Sequence, residues 1–208
     1  MASVDQIAVR GYMQDMDAIP QLSQSTRAAR AADTTGEILP ILIAPHPLLK
    51  ARARRVVPAD RDEVSALLPR MFTTMYGAPG IGLAAPQVGR SLRVVTIDLM
   101  PNEVPAPLAL INPELVAASE DLATREEGCL SLPGQYAEVT RPALVTVRYL
   151  DKDWQVREID AEGLLAACLQ HEIDHLDGVL FIDHLSALKR NMILRRLQKE
   201  QKQKQEAR

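Results

Sequence analysis

The chain has 208 residues, of which 47% are hydrophobic and 25% are charged, and its formal net charge is −3. This composition is ordinary for one globular domain and excludes the disordered and fibrous classes. The slightly acidic balance argues against nucleic-acid binding through the whole surface. The chain has only two cysteines and no run of about twenty apolar residues. We therefore expect a protein of a reducing, cytoplasmic compartment that is neither secreted nor membrane-spanning.

The chain divides into three segments by pattern. Residues 1–37 mix Gln, Asp, Ser and Ala without sustained periodicity and predict an N-terminal extension. Residues 38–188 carry the periodic apolar patterns of a folded domain. Residues 189–208 are rich in Lys and Arg and predict a basic helical tail.

An organellar transit peptide is an alternative interpretation of the extension. Arg27 and Arg30 lie among Ser, Thr and Ala, as such peptides require. The acidic residues Asp5, Asp15 and Asp17 are unusual in a transit peptide. We therefore favour a bacterial cytosolic protein.

Within the folded segment, helical and strand patterns follow one another. From 60 to 76, apolar residues recur at the spacing of one helix face, and Asp60 is a candidate N-cap. Several β-branched runs and two further helical patterns come next. This order predicts an α+β fold in which antiparallel sheets pack around a central helix and a C-terminal helix follows. The predicted strands are 92–98, 107–112 and 143–150, and the later helices are 160–175 and 185 to the C-terminus.

The strongest chemical signal is an HExxH motif within the predicted central helix. His171 and His175 are four residues apart, so both imidazoles can reach one metal ion while Glu172 lies beside it as a candidate base. A solvated helix face with two histidines is the alternative. Apolar neighbours such as Ile173 and Leu176 disfavour it, because they predict a mostly buried helix.

A third protein ligand distinguishes the classes of HExxH hydrolase. A metzincin-like protease would have a histidine where this chain has Phe181. A gluzincin-like protease would use a downstream glutamate, but Glu200 and Glu206 lie in a highly charged terminal segment. Cysteine is the remaining choice.

The two cysteines differ as candidate ligands. Cys168 shares the helix with both histidines, but it lies seven residues from His175, a rise of about 10.5 Å. Cys129 lies in a different segment, between Gly128 and Leu130, where a small neighbour permits close approach. Cys129 is therefore the better candidate, and Cys168 is expected to be a small buried hydrophobe.

Three motifs together resemble peptide deformylases. They are GIGLAAPQ at 80–87, EGCLSLP at 127–133 and QHEIDHLDG at 170–178, in that order. The resemblance extends over about residues 38 to 190 and does not include the N-terminal extension. It implies a hydrolase that removes the formyl group from the N-terminal formyl-methionine of nascent polypeptides.

The resemblance also implies the metal site. Its ligands would be Cys129, His171 and His175, with water in the fourth position. The metal expected from the family is Fe(II), whereas the mixed thiolate and imidazole set also accepts Zn, Ni or Co. Such an ion lowers the pKa of its water and so supplies hydroxide at neutral pH.

The implied catalytic residues are Glu172, Gln87 and Leu130. Glu172 would take the proton from the attacking water and pass it to the departing amine. The side-chain amide of Gln87 and the backbone N–H of Leu130 would donate hydrogen bonds to the developing oxyanion.

Four residues are expected at the substrate. Gly80 and Gly82 would let an extended peptide approach the enzyme backbone, although a simple turn also explains a glycine pair. Ile81 and Leu164 would line a pocket for the methionine side chain, with ordinary core packing as the alternative.

Three further features concern the surroundings of the site. The family placement suggests that Arg141 and Asp174 form a pair that steadies the ligand helix. Arg125 and Tyr136 depart from the residues expected at the substrate rim, which leaves the preference beyond the first residue open. The basic tail suggests docking onto ribosomal RNA, with a solvated helix as the alternative.

Two other classes of function stay open from the residues. A small HExxH peptidase would act on unformylated peptides but requires a different third ligand. A non-catalytic binding protein of the same fold would be expected to have lost Gln87, Leu130 or Glu172, and all three are present.

Overall fold

A computed structural model describes residues 36–101 and 104–206, apart from the side chains of 204 and 205. Nearly all of the predicted N-terminal extension therefore lies outside the described residues. The predicted α+β class is confirmed, because helices combine with two antiparallel sheets. The helices are α1 (Arg61–Gly77), α2 (Gly163–Leu176) and α3 (Ala187–Glu206), and the strands are β1 (Gly82–Ala84), β2 (Val94–Ile97), β3 (Leu108–Ala118), β4 (Leu122–Cys129), β5 (Leu132–Pro142), β6 (Leu144–Leu150) and β7 (Val156–Glu162).

The larger sheet has five strands in the order β1-β2-β3-β6-β7, and each neighbouring pair is antiparallel. The smaller sheet is the β4–β5 hairpin. The three predicted strands correspond to β2, β3 and β6. Strands β1, β4, β5 and β7 are not among these three ranges, because β1 has three residues, β4 and β7 are rich in charged residues, and β5 contains Pro133 and Gly134.

Helix α2 is the buried centre of the fold. Its apolar residues join those of β2, β6 and β7 in one hydrophobic cluster, which fixes the helix against the large sheet. The helix was predicted to begin at 160, but Asp160 to Glu162 are the end of β7. The chain turns into the helix at Gly163, whose φ of +60° lies in the left-handed region that favours glycine. The apolar residues of α2 in this cluster include Leu165, Leu169 and Leu176.

Helix α1 covers another part of the core, as its apolar spacing predicts. Val64, Leu67, Met71 and Met75 are buried on one face. The predicted cap differs in detail, because the Asp60 side chain makes no capping bond to α1. Its carboxylate instead accepts hydrogen bonds from the backbone N–H of Val57 and from the guanidinium of Arg54, both at 2.8 Å.

Helix α3 follows a short 3-10 helix, Phe181–His184, and begins two residues later than predicted. Its buried residue Leu197 joins a third hydrophobic cluster with Phe181 and Ile182. On the outer side, Leu188 and Met192 are exposed. No helix of the described segments is both long and apolar enough to cross a bilayer.

Gly178 lies just after the C-terminal end of α2, where the backbone of a neighbouring segment leaves no room for a side chain. Its φ is +73°, and an added Cβ would lie 2.6 Å from the backbone oxygen of Lys50. Gly89 has a similar φ of +81° but open space around it. We expect Gly89→Ala to cost about 1 kcal/mol of unfolding free energy from backbone strain alone, and Gly178→Ala to cost clearly more. Urea denaturation measures both, and equal losses would contradict the steric argument.

Candidate metal centre and active site

Helix α2 and the β4–β5 hairpin bring three candidate ligands together. His171 and His175 project from the same face of α2, with ring centroids 5.0 Å apart. Cys129 is the last residue of β4. One candidate ligand atom from each residue lies within 4.8 Å of the others. The Sγ of Cys129 is 3.2 Å from Nε2 of His175.

The chemistry of this group fits a divalent transition metal. His171 forms a hydrogen bond through Nδ1 to Oε2 of Glu127 at 2.8 Å, which leaves Nε2 available as a ligand. Burial lowers the pKa of His175 well below its usual value, so its ring is neutral as a ligand must be. A thiolate with two imidazoles suits zinc, iron, cobalt and nickel.

Cys168 lies outside this group. Its side chain is buried in the cluster around α2, and its Sγ would lie 3.0 Å from a Cβ added at Gly82. Burial raises the pKa of the Cys168 thiol well above its usual value, so this residue stays protonated. These contacts agree with the small buried hydrophobe that the sequence indicates.

A buried network of charges supports the two ligand-bearing elements. Arg141 of β5 binds Glu127 of β4 through Nε and Nη2, at 2.6 and 3.0 Å. Its Nη1 donates to Oδ2 of Asp174 at 2.8 Å, so the expected pair of Arg141 and Asp174 is present. The same Asp174 oxygen lies 2.7 Å from Nε2 of His184. The hairpin and α2 are thus joined by ionic hydrogen bonds.

The sequence motifs do not identify Glu127 as a functional residue. It is only the first residue of the cysteine motif, yet it contacts His171 directly. Burial alone would raise its pKa, but hydrogen bonds from His171 and Arg141 outweigh burial and lower the pKa to about 2. Burial likewise opposes protonation of His171, yet its hydrogen bonds with Cys129 and Glu127 raise its pKa, so a metal ion would displace a proton from this ring on binding. An ionised Glu127 therefore fixes the ring of His171.

Glu172 faces the cleft beside the three candidate ligands. It is 4% exposed, and its Oε2 is buried without a hydrogen-bond partner among the described residues. Burial raises its pKa to about 7, a value suited to proton transfer near neutral pH. Gly82 makes room for this side chain, since an added Cβ would overlap Oε1 of Glu172. The glycine is thus required by the protein's own carboxyl group.

Gln87 is held with its amide nitrogen towards the cysteine. Its Oε1 accepts a hydrogen bond from the backbone N–H of Ala84 at 2.8 Å. Its Nε2 then lies 3.2 Å from Oγ of Ser131 and 3.5 Å from Sγ of Cys129. Leu130 follows Cys129 in the hairpin turn, so its backbone N–H is carried on the same segment.

A cleft of about 670 Å³ opens over this group. Its floor includes Cys129 and His171, and its rim includes Arg125 and Tyr136. His175 is buried behind the floor. The structure therefore brings all the predicted catalytic and substrate-binding residues to one cavity, namely Gly80, Ile81, Gly82, Gln87, Leu130, Leu164 and Glu172.

The chain is similar to known peptide deformylases in sequence and in fold. Residues 38–191 match the family described as polypeptide deformylase. A peptide deformylase of Mesorhizobium japonicum is 52% identical over 80% of this chain and 95% of its own length. The crystal structure of a peptide deformylase from Legionella pneumophila has a TM-score of 0.75 at 45% identity, covering 81% of this chain and 98% of that one. A deformylase of Ehrlichia chaffeensis in complex with actinonin is 36% identical, with a TM-score of 0.75 and coverage of 79% and 98%.

The role of Glu127 can be tested through metal affinity. We expect Glu127→Gln to weaken Zn²⁺ binding by about 10- to 100-fold, because the ionised partner of a ligand histidine is lost. Competition with a chromogenic chelator measures the affinity. Glu138→Gln, at an exposed position of β5, is the matched control and should bind Zn²⁺ as the unmodified chain does. Equal affinity of both variants would refute the role.

Proposed function

The chain belongs to the polypeptide deformylase family, whose members are enzymes that remove N-terminal formyl groups, and we propose a metal-dependent mechanism for it. The substrate is the formyl-methionine end of a nascent polypeptide, and the products are formate and a free amine. One observation carries the proposal: Glu172, whose Oε2 is buried without a hydrogen-bond partner among the described residues, lines the same cleft as Cys129 and His171.

Cys129, His171 and His175 would hold one divalent ion, and their contacts support this assignment. We propose Fe(II) in the cell, as the family resemblance implies, while Zn, Ni and Co fit the same donor set. The ion would supply a Lewis acid and lower the pKa of water in the cleft.

Groups that line the cleft would transfer the proton and stabilise the developing negative charge. Glu172 takes a proton from the water that attacks the formyl carbon, and it returns the proton to the nitrogen as the carbon–nitrogen bond breaks. Nε2 of Gln87 and the backbone N–H of Leu130 donate to the formyl oxygen as it gains negative charge. Because Ala84 fixes the Gln87 amide, this donor is oriented before the substrate binds.

The substrate would bind as an extended chain. Strand β1 is at the edge of the five-stranded sheet, so its outer backbone groups are available to pair with a peptide. Gly80 and Ile81 directly precede this strand, and Ile81 and Leu164 both line the cleft. We assign the methionine side chain to the apolar wall that these two residues form.

Hydrolysis of formyl-Met-Ala-Ser by anaerobically purified, Fe(II)-loaded protein tests the reaction. We expect formate release from the unmodified chain and a loss of about 100-fold or more for Glu172→Ala, because proton transfer is removed. Metal content, measured in parallel, should be the same in both. Actinonin, which the Ehrlichia chaffeensis relative binds, should block the release.

Three results would contradict this function. Release of free methionine from unformylated Met-Ala-Ser, with no formate from the formylated peptide, would favour a small peptidase. Absence of turnover in metal-loaded protein would favour a non-catalytic binding protein. Equal activity of Glu172→Ala would remove Glu172 from the mechanism.

We also propose that the basic tail docks onto ribosomal RNA in a bacterial cytosol. Arg195, Arg196 and Lys199 are exposed on α3, and their charges permit contact with phosphates. Leu197 and Gln201 of the same helix hold it to the protein, since Leu197 is buried and Gln201 donates to the backbone oxygen of Ala44. Truncation would therefore disturb packing, and charge reversal is the cleaner change.

Reversal of Arg195, Arg196 and Lys199 to Glu should weaken co-sedimentation with ribosomes, most strongly at low salt, because phosphate contacts release counterions. Reversal of three exposed basic residues elsewhere, Arg52, Arg90 and Lys152, changes the net charge equally and is the control. Equal co-sedimentation of the two triple variants would count against docking through the tail.

A further inference from the structure

Arg125 lies on β4 where the cleft continues beyond the candidate metal ligands. Side chains alternate along a strand, so Arg125, Glu127 and Cys129 project from the same face of β4. Glu127 and Cys129 occupy the site already described, and Arg125 lines the same cleft together with Leu164 of α2. Its guanidinium is therefore part of the surface that a bound peptide meets.

The guanidinium of Arg125 has no partner among the described residues. Its Nε is buried without a hydrogen bond, although the residue as a whole is half-buried. The two arginines that are buried as whole residues are paired: Arg141 binds Glu127 and Asp174, and Arg93 binds Asp177 at 2.7 Å. A partly desolvated cation without a counter-ion is costly, and a carboxylate that enters the cleft would relieve that cost.

The surroundings of Arg125 also favour an anion. Nη2 of Arg125 would lie 3.8 Å from a Cβ added at Gly163, the first residue of α2. The first turn of this helix has no acidic residue, and the carboxylate of the N-cap residue Glu162 is exposed and makes no capping bond. Glu127 is already bound by Arg141, and Glu126, which also lines the cleft, is exposed.

We propose that Arg125 determines substrate specificity by binding an acidic side chain of the nascent chain downstream of the formyl-methionine. The inference rests on the proposed deformylase function. Arg125 is four positions before Cys129 on β4, and both residues line the same cleft. A substrate side chain that reaches Arg125 must belong to a residue after the formyl-methionine, and positions two to four are the nearest candidates.

Peptides based on formyl-Met-Ala-Ser-Ala, with a single Glu or Lys at position two, three or four, test the proposal. At low salt we expect kcat/KM to favour Glu over Lys by about fivefold at one of these positions, as for a partly exposed ion pair. Arg125→Gln should bring the ratio close to one, and Arg125→Lys should retain part of it. The ratio within each variant cancels any general change in turnover.

Arg90→Gln is the matched control, because it removes the same charge at an exposed position outside the cleft. It should keep the preference for Glu. A ratio close to one in the unmodified enzyme at all three positions, or an unchanged ratio in Arg125→Gln, would overturn the proposal. Loss of the preference in Arg90→Gln would also overturn it. The unsubstituted peptide separates this outcome from failure of the deformylase function, since it reports formate release without any charged side chain.

Discussion

The candidate metal site depends on the carboxylate of Glu127. It binds Arg141 on the neighbouring strand and His171 on α2, so it joins the hairpin to the central helix. Burial of such a charge cluster gives little net stability, because the cost of desolvation offsets the attraction. Its effect is on position: the same strand that carries Glu127 also carries Cys129, two residues farther on. The carboxylate therefore sets how the thiol meets the two imidazoles.

Helix α2 has an apolar side and a polar side, and both are buried. One side packs in the apolar cluster with β2, β6 and β7, while the other places His171, Glu172 and His175 in the interior. All three side chains are buried. Nδ1 of His171 and Nε2 of His175 have hydrogen-bond partners, whereas Oε2 of Glu172 and Nδ1 of His175 have none among the described residues. The low dielectric that raises the pKa of Glu172 comes from the same packing that holds the helix in place.

Patterns with a local cause could be predicted from the sequence. The apolar spacing of α1, the β-branched runs of β2, β3 and β6, and the histidine spacing each express a short-range rule. The start of α2 could not be predicted in this way, because residues 160–162 pair with β6 and tertiary pairing overrides their helical pattern. The same holds for Glu127, whose partners lie 14 and 44 residues away along the chain. The motifs located the site, whereas the contacts that orient it are long-range.

The space left by Gly82 limits how this sequence can diverge. Any side chain there would meet the side chains of both Glu172 and Cys168, which project from the buried helix α2. Among random variants selected for activity, this codon would stay fixed, even though β1 is a three-residue edge strand of the kind that usually tolerates change. A glycine retained at position 82 would therefore reflect the location of the Glu172 carboxyl group and not a requirement of strand β1.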